Sequence, residues 1–307
     1  MTLNQILADL ADKDKPLATG RLAYLSGLSK EEVRLLDQMW QQFDTSRRRQ
    51  VVEKLVDLSE DSAELDFNAV FRRCLHDHEA DIRVMAIEGL WECEDRWLLY
   101  ALERLVICDD STEVRAAAAV ALGRYILLAE LGKLRPEEAR KLEETLFACI
   151  ENPQEPLQVR RRAIEALGHL SLEKVTAVIE EAYASQDRLM RVSSLYAMGR
   201  NADPRWLPIL IRELENEDGE MRYEAASSCG ELGDAQAAPY LIPLMDDPDL
   251  EVQLAAINAL GKVGGTLARR ALRSRLHDPD ERLRQAVQNA LEELEATRDP
   301  FHFETGS

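Results

Sequence analysis

The strongest constraint on this chain is a unit that returns every 31 residues. The segments DRLMRVSSLYAMG, DGEMRYEAASSCG, DLEVQLAAINALG and DERLRQAVQNALE start at Asp187, Asp218, Asp249 and Asp280. Their anchor positions are Arg191, Arg222, Gln253 and Arg284. Self-similarity at a fixed period marks an array of like units, none able to bury its apolar face alone. Counting from the anchor, position −1 is apolar, +3 and +4 are small or apolar, and +7 is Met198, Cys229, Leu260 or Leu291. Steps of three and four put these residues on one face of a helix. The Asp four residues before each anchor suits a helix start, where its oxygen accepts free N–H groups and its charge meets the dipole. Gly199, Gly230 and Gly261 occupy position +8. They either end the helix or let a neighbour approach closely.

A turn and a second apolar segment follow each glycine: PRWLPILIREL, AQAAPYLIPLM and TLARRALRSRL. Asp203 before Pro204 is a cap-then-proline start. Pro208, Pro239 and Pro243 are expected to bend or shorten the second segment. Each unit is therefore a helix pair.

Asp77 and Arg83, Asp109 and Arg115, and Asp278 and Arg284 are each six residues apart. The string Val114, Arg115, Ala118, Ala121, Leu122, Gly123 recurs as Val159, Arg160, Ala163, Ala166, Leu167, Gly168. These residues resemble the HEAT-repeat family in its short bacterial form, over roughly residues 30–296. The resemblance implies an all-α, right-handed α-solenoid of about eight HEAT-like helix pairs, anchored at Arg48, Arg83, Arg115, Arg160, Arg191, Arg222, Gln253 and Arg284. It also implies that the Asp and Arg of successive units form an internal hydrogen-bonded ladder. Arg83, Arg115 and Arg284 are then structural. Gln154, Ser185 and Asn216 stand where that Asp is absent, so the ladder there is partial or differently satisfied, and Gln253 drops the charge.

The expected organisation is an N-terminal helix and linker over 1–28, a repeat array over 29–296 and a tail over 297–307. Leu3, Ile6, Leu7 and Leu10 share one side of the first helix. Ser29 with Glu32 is a capping box that opens the array. Arg115 and Arg160 are 45 residues apart, 14 more than the period. The excess falls at about 126–140, where one helix runs from near Thr112 to about Leu131 and a long second one starts at Pro136. Such insertions often serve binding. The tail carries Phe301 and Phe303, which could fold back on the last repeat.

Acidic residues outnumber basic ones 57 to 38, for a formal charge of −19. That balance disfavours nucleic acid and anionic membranes. Cys74, Cys93, Cys108, Cys149 and Cys229 form no C-x-x-C pair and read as reduced core thiols of a cytoplasmic protein. No apolar run nears the roughly 20 residues a bilayer needs.

Catalytic signals are thin. His78-Glu79 is a single His-Glu pair, whereas in the deoxyhypusine hydroxylases, a HEAT-like branch, several such pairs bind two irons. His76 and His78, with Asp77, Glu79 and Asp81, read as an exposed polar turn. Ser171 to Lys174 matches S-x-x-K, but Ser171 reads as a helix cap. No cofactor or metal is expected.

In the family the helix with the Val-Arg string lines the concave face. Positions +2, +5 and +9 lie opposite its buried stripe. Arg124, Arg162, His169 and Arg200 then form a basic strip beside Tyr196, continued by Glu231 and Lys262. The reading is a monomeric, non-catalytic scaffold or adaptor whose concave face docks an acidic or extended segment of a protein. The alternative, carried by the similar short repeats of phycobilin lyase subunits, is a bilin lyase or chaperone subunit acting on a chromophore-bearing protein.

Overall fold

The computed structural model describes residues 2–62 and 64–296. The expected tail at 297–307, with Phe301 and Phe303, lies outside them. Every regular element among the described residues is helical. The first are α1 (Leu3–Ala11) and α2 (Thr19–Leu22). Four pairs follow: α3 (Lys30–Trp40) with α4 (Thr45–Asp61), α5 (Asn68–Cys74) with α6 (Ala80–Gly89), α7 (Arg96–Cys108) with α8 (Thr112–Glu130), and α9 (Pro136–Glu151) with α10 (Leu157–Leu167). Another four complete the described chain: α11 (Glu173–Tyr183) with α12 (Arg188–Asn201), α13 (Leu207–Glu213) with α14 (Gly219–Leu232), α15 (Ala238–Leu241) with α16 (Leu250–Val263), and α17 (Gly265–Ser274) with α18 (Glu281–Ala296). Every anchor lies on the second helix of its pair. The long α8 and α9 account for the excess between Arg115 and Arg160. No helix among the described residues is long and apolar enough to cross a membrane.

The residues form two compact units. One holds Met1–Ala129 and Leu134–Ala163, and the other Glu130–Lys133 and the described residues from Ile164 onward. The first has an aromatic core, with Trp40, Phe43, Phe67, Phe71 and Tyr125 all but fully buried. Its N-terminal helix is tied down. Ile6, Leu7 and Leu10 are buried. Arg47 donates from Nε to the carbonyl of Leu10 (2.6 Å) and from Nη2 to those of Asp12 (3.0 Å) and Lys15 (2.7 Å). The expected box at Ser29 and Glu32 closes in both directions.

Small residues govern packing in the second unit. Helices α12, α14 and α16 run past Gly199, Gly230 and Gly261, so these glycines do not end them. They are points of close approach. A Cβ on Gly199 would lie 2.8 Å from the Cα of Ser228, and one on Gly230 would lie 2.9 Å from the Cα of Ala259. On Gly261 it would meet Ala290 at 2.9 Å. The prolines act as expected. Pro204 follows the Asp203 cap into a 3-10 turn, and the stretch with Pro239 and Pro243 is broken into 3-10 turns flanking the short α15.

The ladder has a defined chemistry. Arg83 Nη1 donates to the carbonyl of Asp77, six residues back, at 2.8 Å. Its Nε and Nη2 reach forward to both carboxylate oxygens of Asp109 in the next pair, at 2.9 and 2.7 Å. Arg222 repeats this with the carbonyl of Asn216 and the carboxylate of Asp247, at 2.7 and 2.8 Å. Arg48 pairs with Asp77 at 3.0 Å. The same carboxylates shape their loops: Asp77, Asp109, Asp247 and Asp278 each accept the N–H two residues on. Charge-assisted bonds of this fork-to-fork kind fix orientation as well as contributing energy. Rungs fail where the sequence said they would. Arg115 turns to Glu155 because Gln154 offers no carboxylate. Asn216 fills the Asp position after Arg191, whose buried Nε has no partner. Gln253 keeps the backward bond to Asp247 but has no second fork for Asp278.

Three expectations need correction. Asp77 does not sit in an exposed polar turn; it is buried, taking Arg48 and the Trp40 indole N–H. Ser171 caps nothing, since Leu172 holds the N-cap position of α11 with no side-chain bond. Cys108 is exposed, while the other four thiols are buried.

Two outcomes test this packing. Gly→Ala within a helix ordinarily stabilises by up to about 1 kcal/mol. Overpacking costs about 1–3 kcal/mol. Gly199→Ala and Gly230→Ala should therefore lower the urea midpoint, while Gly20→Ala, where nothing lies within 4 Å, should leave it unchanged or raise it. Gln253→Arg should restore a rung to Asp278 and raise stability by about 1 kcal/mol in the same assay.

Candidate interaction face

The second helices of the first unit, α4, α6, α8 and the start of α10, line a groove of about 810 Å³. Its floor is small and apolar (Ala116, Ala117, Ala121), and Trp91 and Val120 stand over it. Both are open to solvent, at 55% and 50%. Trp91 projects because α6 stops early. Position +8 is Trp91 here, where later units have glycine, and the helix ends at Gly89. A Cβ at Gly89 would fall 2.4 Å from the Phe71 ring, so the chain passes over a core aromatic with no room for a side chain.

Glu60, Glu88 and Glu113 rim the groove, opposed by Arg124 and Arg162. Burial and then the charge of Glu60 lift the Glu88 carboxyl above its ordinary range. One arm of Arg124 is tied down: its Nη2 donates to the carbonyls of Leu90 (3.2 Å) and Cys93 (2.6 Å) just past the end of α6, while its buried Nε has no partner. Tyr125 adds a hydroxyl bond to Cys93 O at 3.1 Å. Arg124 and Tyr125 therefore tie α8 to the turn that follows α6.

The remaining strip residues belong to the second unit and meet one another. The Arg200 guanidinium lies over the Tyr196 ring, 5.2 Å from its centroid. Glu231 takes Arg200 at 3.2 Å and Lys262 at 2.5 Å. Burial pushes the Glu231 carboxyl up, but the bond from Lys262 and the charge of Arg200 outweigh it and hold it low. Burial, then Arg200, keeps the His169 imidazole below its usual value, so it is neutral near pH 7. The two cations thus share one carboxylate. Positions +2 and +5 are not uniformly open as expected. Ser193 and Glu165 are buried, with the hydroxyl donating to Glu165 at 2.5 Å. Next to them Glu224 is raised to about 7, first by burial and then by Glu165.

Of the residues in the expected strip, Arg124 and Arg162 lie on this groove; Trp91 was not among them. Its signal was a tryptophan at a glycine position. Among the described residues, no group of three or more His, Cys, Asp or Glu is placed to hold a metal ion.

Residues 207–292 match the HEAT repeats family model. Solved structures similar to the chain include Escherichia coli YibA, at 17% identity over 78% of this chain and 96% of that one, with a TM-score of 0.43. An engineered protein matches at 19% identity, over 64% of this chain and 96% of its own, with a TM-score of 0.42. Human deoxyhypusine hydroxylase in complex with glycerol matches at 19% identity, over 95% and 96%, with a TM-score of 0.39. No curated protein matches the chain. The bilin-lyase alternative finds no support in these comparisons.

Glu224 gives the face a pH dependence. Its carboxyl is raised from 4.5 to about 7 in the fold. The fold thus favours the protonated form. That stabilisation is complete below the unfolded-state value and is lost as pH rises through about 7. Glu224→Gln should abolish this loss. Its unfolding free energy, measured against wild type in urea, should gain on the order of 1–3 kcal/mol between acid and mildly alkaline pH. A difference that stays flat with pH would exclude a raised Glu224.

Proposed function

We propose that this chain is a non-catalytic interaction scaffold that docks a protein segment in the Trp91 groove. The observation that carries this is the pairing of two half-exposed apolar side chains, Trp91 and Val120, with an alanine floor. An exposed tryptophan over an apolar groove is a large anchor held without cost to the core, and such residues dominate binding energy at interfaces. The groove suits an amphipathic helix or extended segment that offers an apolar side chain to Trp91. Glu60, Glu88 and Glu113 on the rim favour basic flanking residues, the reverse of the acidic segment expected from the strip. The shared Glu231 of Arg200 and Lys262, and the Arg124 Nη2 held by two carbonyls, weigh the same way. The HEAT repeats of residues 207–292 are consistent with such a scaffold.

The test is co-purification from the source cells with wild type and with a Trp91→Ala/Val120→Glu variant, whose sites are exposed and leave the core intact. Partners held through the groove should weaken about tenfold or more. If every partner is retained equally by both proteins, the groove is not the docking site.

A further inference from the structure

On the opposite helices of the same pairs lies a surface of different chemistry. Helices α3, α5 and α7 are the first members of three successive pairs. They bear Arg34 on α3, Arg72 and Arg73 on α5, and Arg104 on α7, with Lys30 at the start of α3. Two cavities of about 630 and 540 Å³ lie over these helices and share His76 as a wall. Ala69 and Ala101 leave space between the long side chains. Trp97 and Tyr100 supply apolar surface, Tyr100 being 42% exposed.

Most of the charges here are uncompensated. With 57 acidic and 38 basic residues, carboxylates are plentiful, and some cations take them: Arg200 and Lys262 share Glu231, and Arg188 takes Asp218 and Glu220. Among the described residues the side chains of Lys30, Arg34 and Arg104 form no ion pair or hydrogen bond. Arg72 only stacks on the Trp97 ring, 4.6 Å from its centroid. Arg73 alone is matched, by Asp37 at 2.8 Å. His76 registers the field: burial, then Arg104, Arg73 and Arg72, holds its imidazole below the ordinary range, with only Asp37 acting the other way.

We infer that this first-helix face, spanning α3, α5 and α7, is a docking site for a short acidic peptide segment of a protein partner. Carboxylates on such a segment would pair with Arg34, Arg72 and Arg104, and an intervening apolar side chain would rest on Trp97. The patch is bounded by Asp37 on one side and by Asp109 and Asp110 on the other. A long polyanion would run off it onto repulsive surface, whereas a few carboxylates fit within it. Arginine and tryptophan together also suit an interface core. The site is independent of the Trp91 groove.

Fluorescence anisotropy of a labelled oligoglutamate peptide, titrated with the full chain at low salt, tests this. Wild type should bind saturably, and added salt should weaken the complex. Arg72→Glu/Arg104→Glu should weaken binding about tenfold or more, and Arg72→Gln/Arg104→Gln should weaken it less. Lys262→Glu should bind as wild type. Thermal melts confirm that each variant is folded. The inference is overturned by an absence of saturable binding to wild type, or by equal binding to the doubly reversed variant. Oligothymidylate that binds as tightly as the peptide would also overturn it, by assigning the face to nucleic acid.

Discussion

A bidentate contact between an arginine and the aspartate of the next helix pair sets the terms for this structure. The arginine cannot turn away, because its third nitrogen is fixed to the backbone six residues back. The aspartate cannot turn away either, because it holds its own loop through the N–H two residues on. Each rung therefore ties the start of a second helix to the loop that begins the next one. A purely apolar interface between like helices would be free to slide by a turn. A fork that accepts one partner geometry removes that freedom. Where the rung lapses, beyond Arg191 and beyond Gln253, the close seating of Gly199 against Ser228 and of Gly261 against Ala290 does the same task by shape.

Features confined to one helix turn were legible in the sequence. The cap aspartates, the box at Ser29, the shortening by Pro208 and Pro239 and the broken rungs at Gln154 and Asn216 all follow from local rules of hydrogen bonding and backbone geometry. The pairs number eight among the described residues because the anchor period finds them. The glycines were legible only as a choice between two roles, since a helix end and a close approach look alike until the neighbour is known.

What escaped reading depends on where helices stop and which faces they share. Trp91 becomes an exposed wall because α6 ends over Phe71, a contact between two helices of one pair that no period encodes. Arg124 looked like a free cation until the broken end of α6 supplied two carbonyls for it. The basic first-helix face was invisible because its members lie on three separate segments, each unremarkable alone. A formal charge of −19 also hides local positive surface, being a sum over the whole chain.

The cysteines carry a further consequence. Cys74, Cys93, Cys149 and Cys229 are buried, and burial pushes each thiol upward, Cys149 to about 11 and Cys229 to about 12. At neutral pH these four sulfurs stay protonated and shielded, and the thiolate is the reactive form. Cys108 alone is open. Chemically the native chain therefore behaves as a single-thiol protein. A maleimide or spin-label reagent has one address, at the end of α7 beside Arg104, and no cysteine need be engineered in or out to place a probe there.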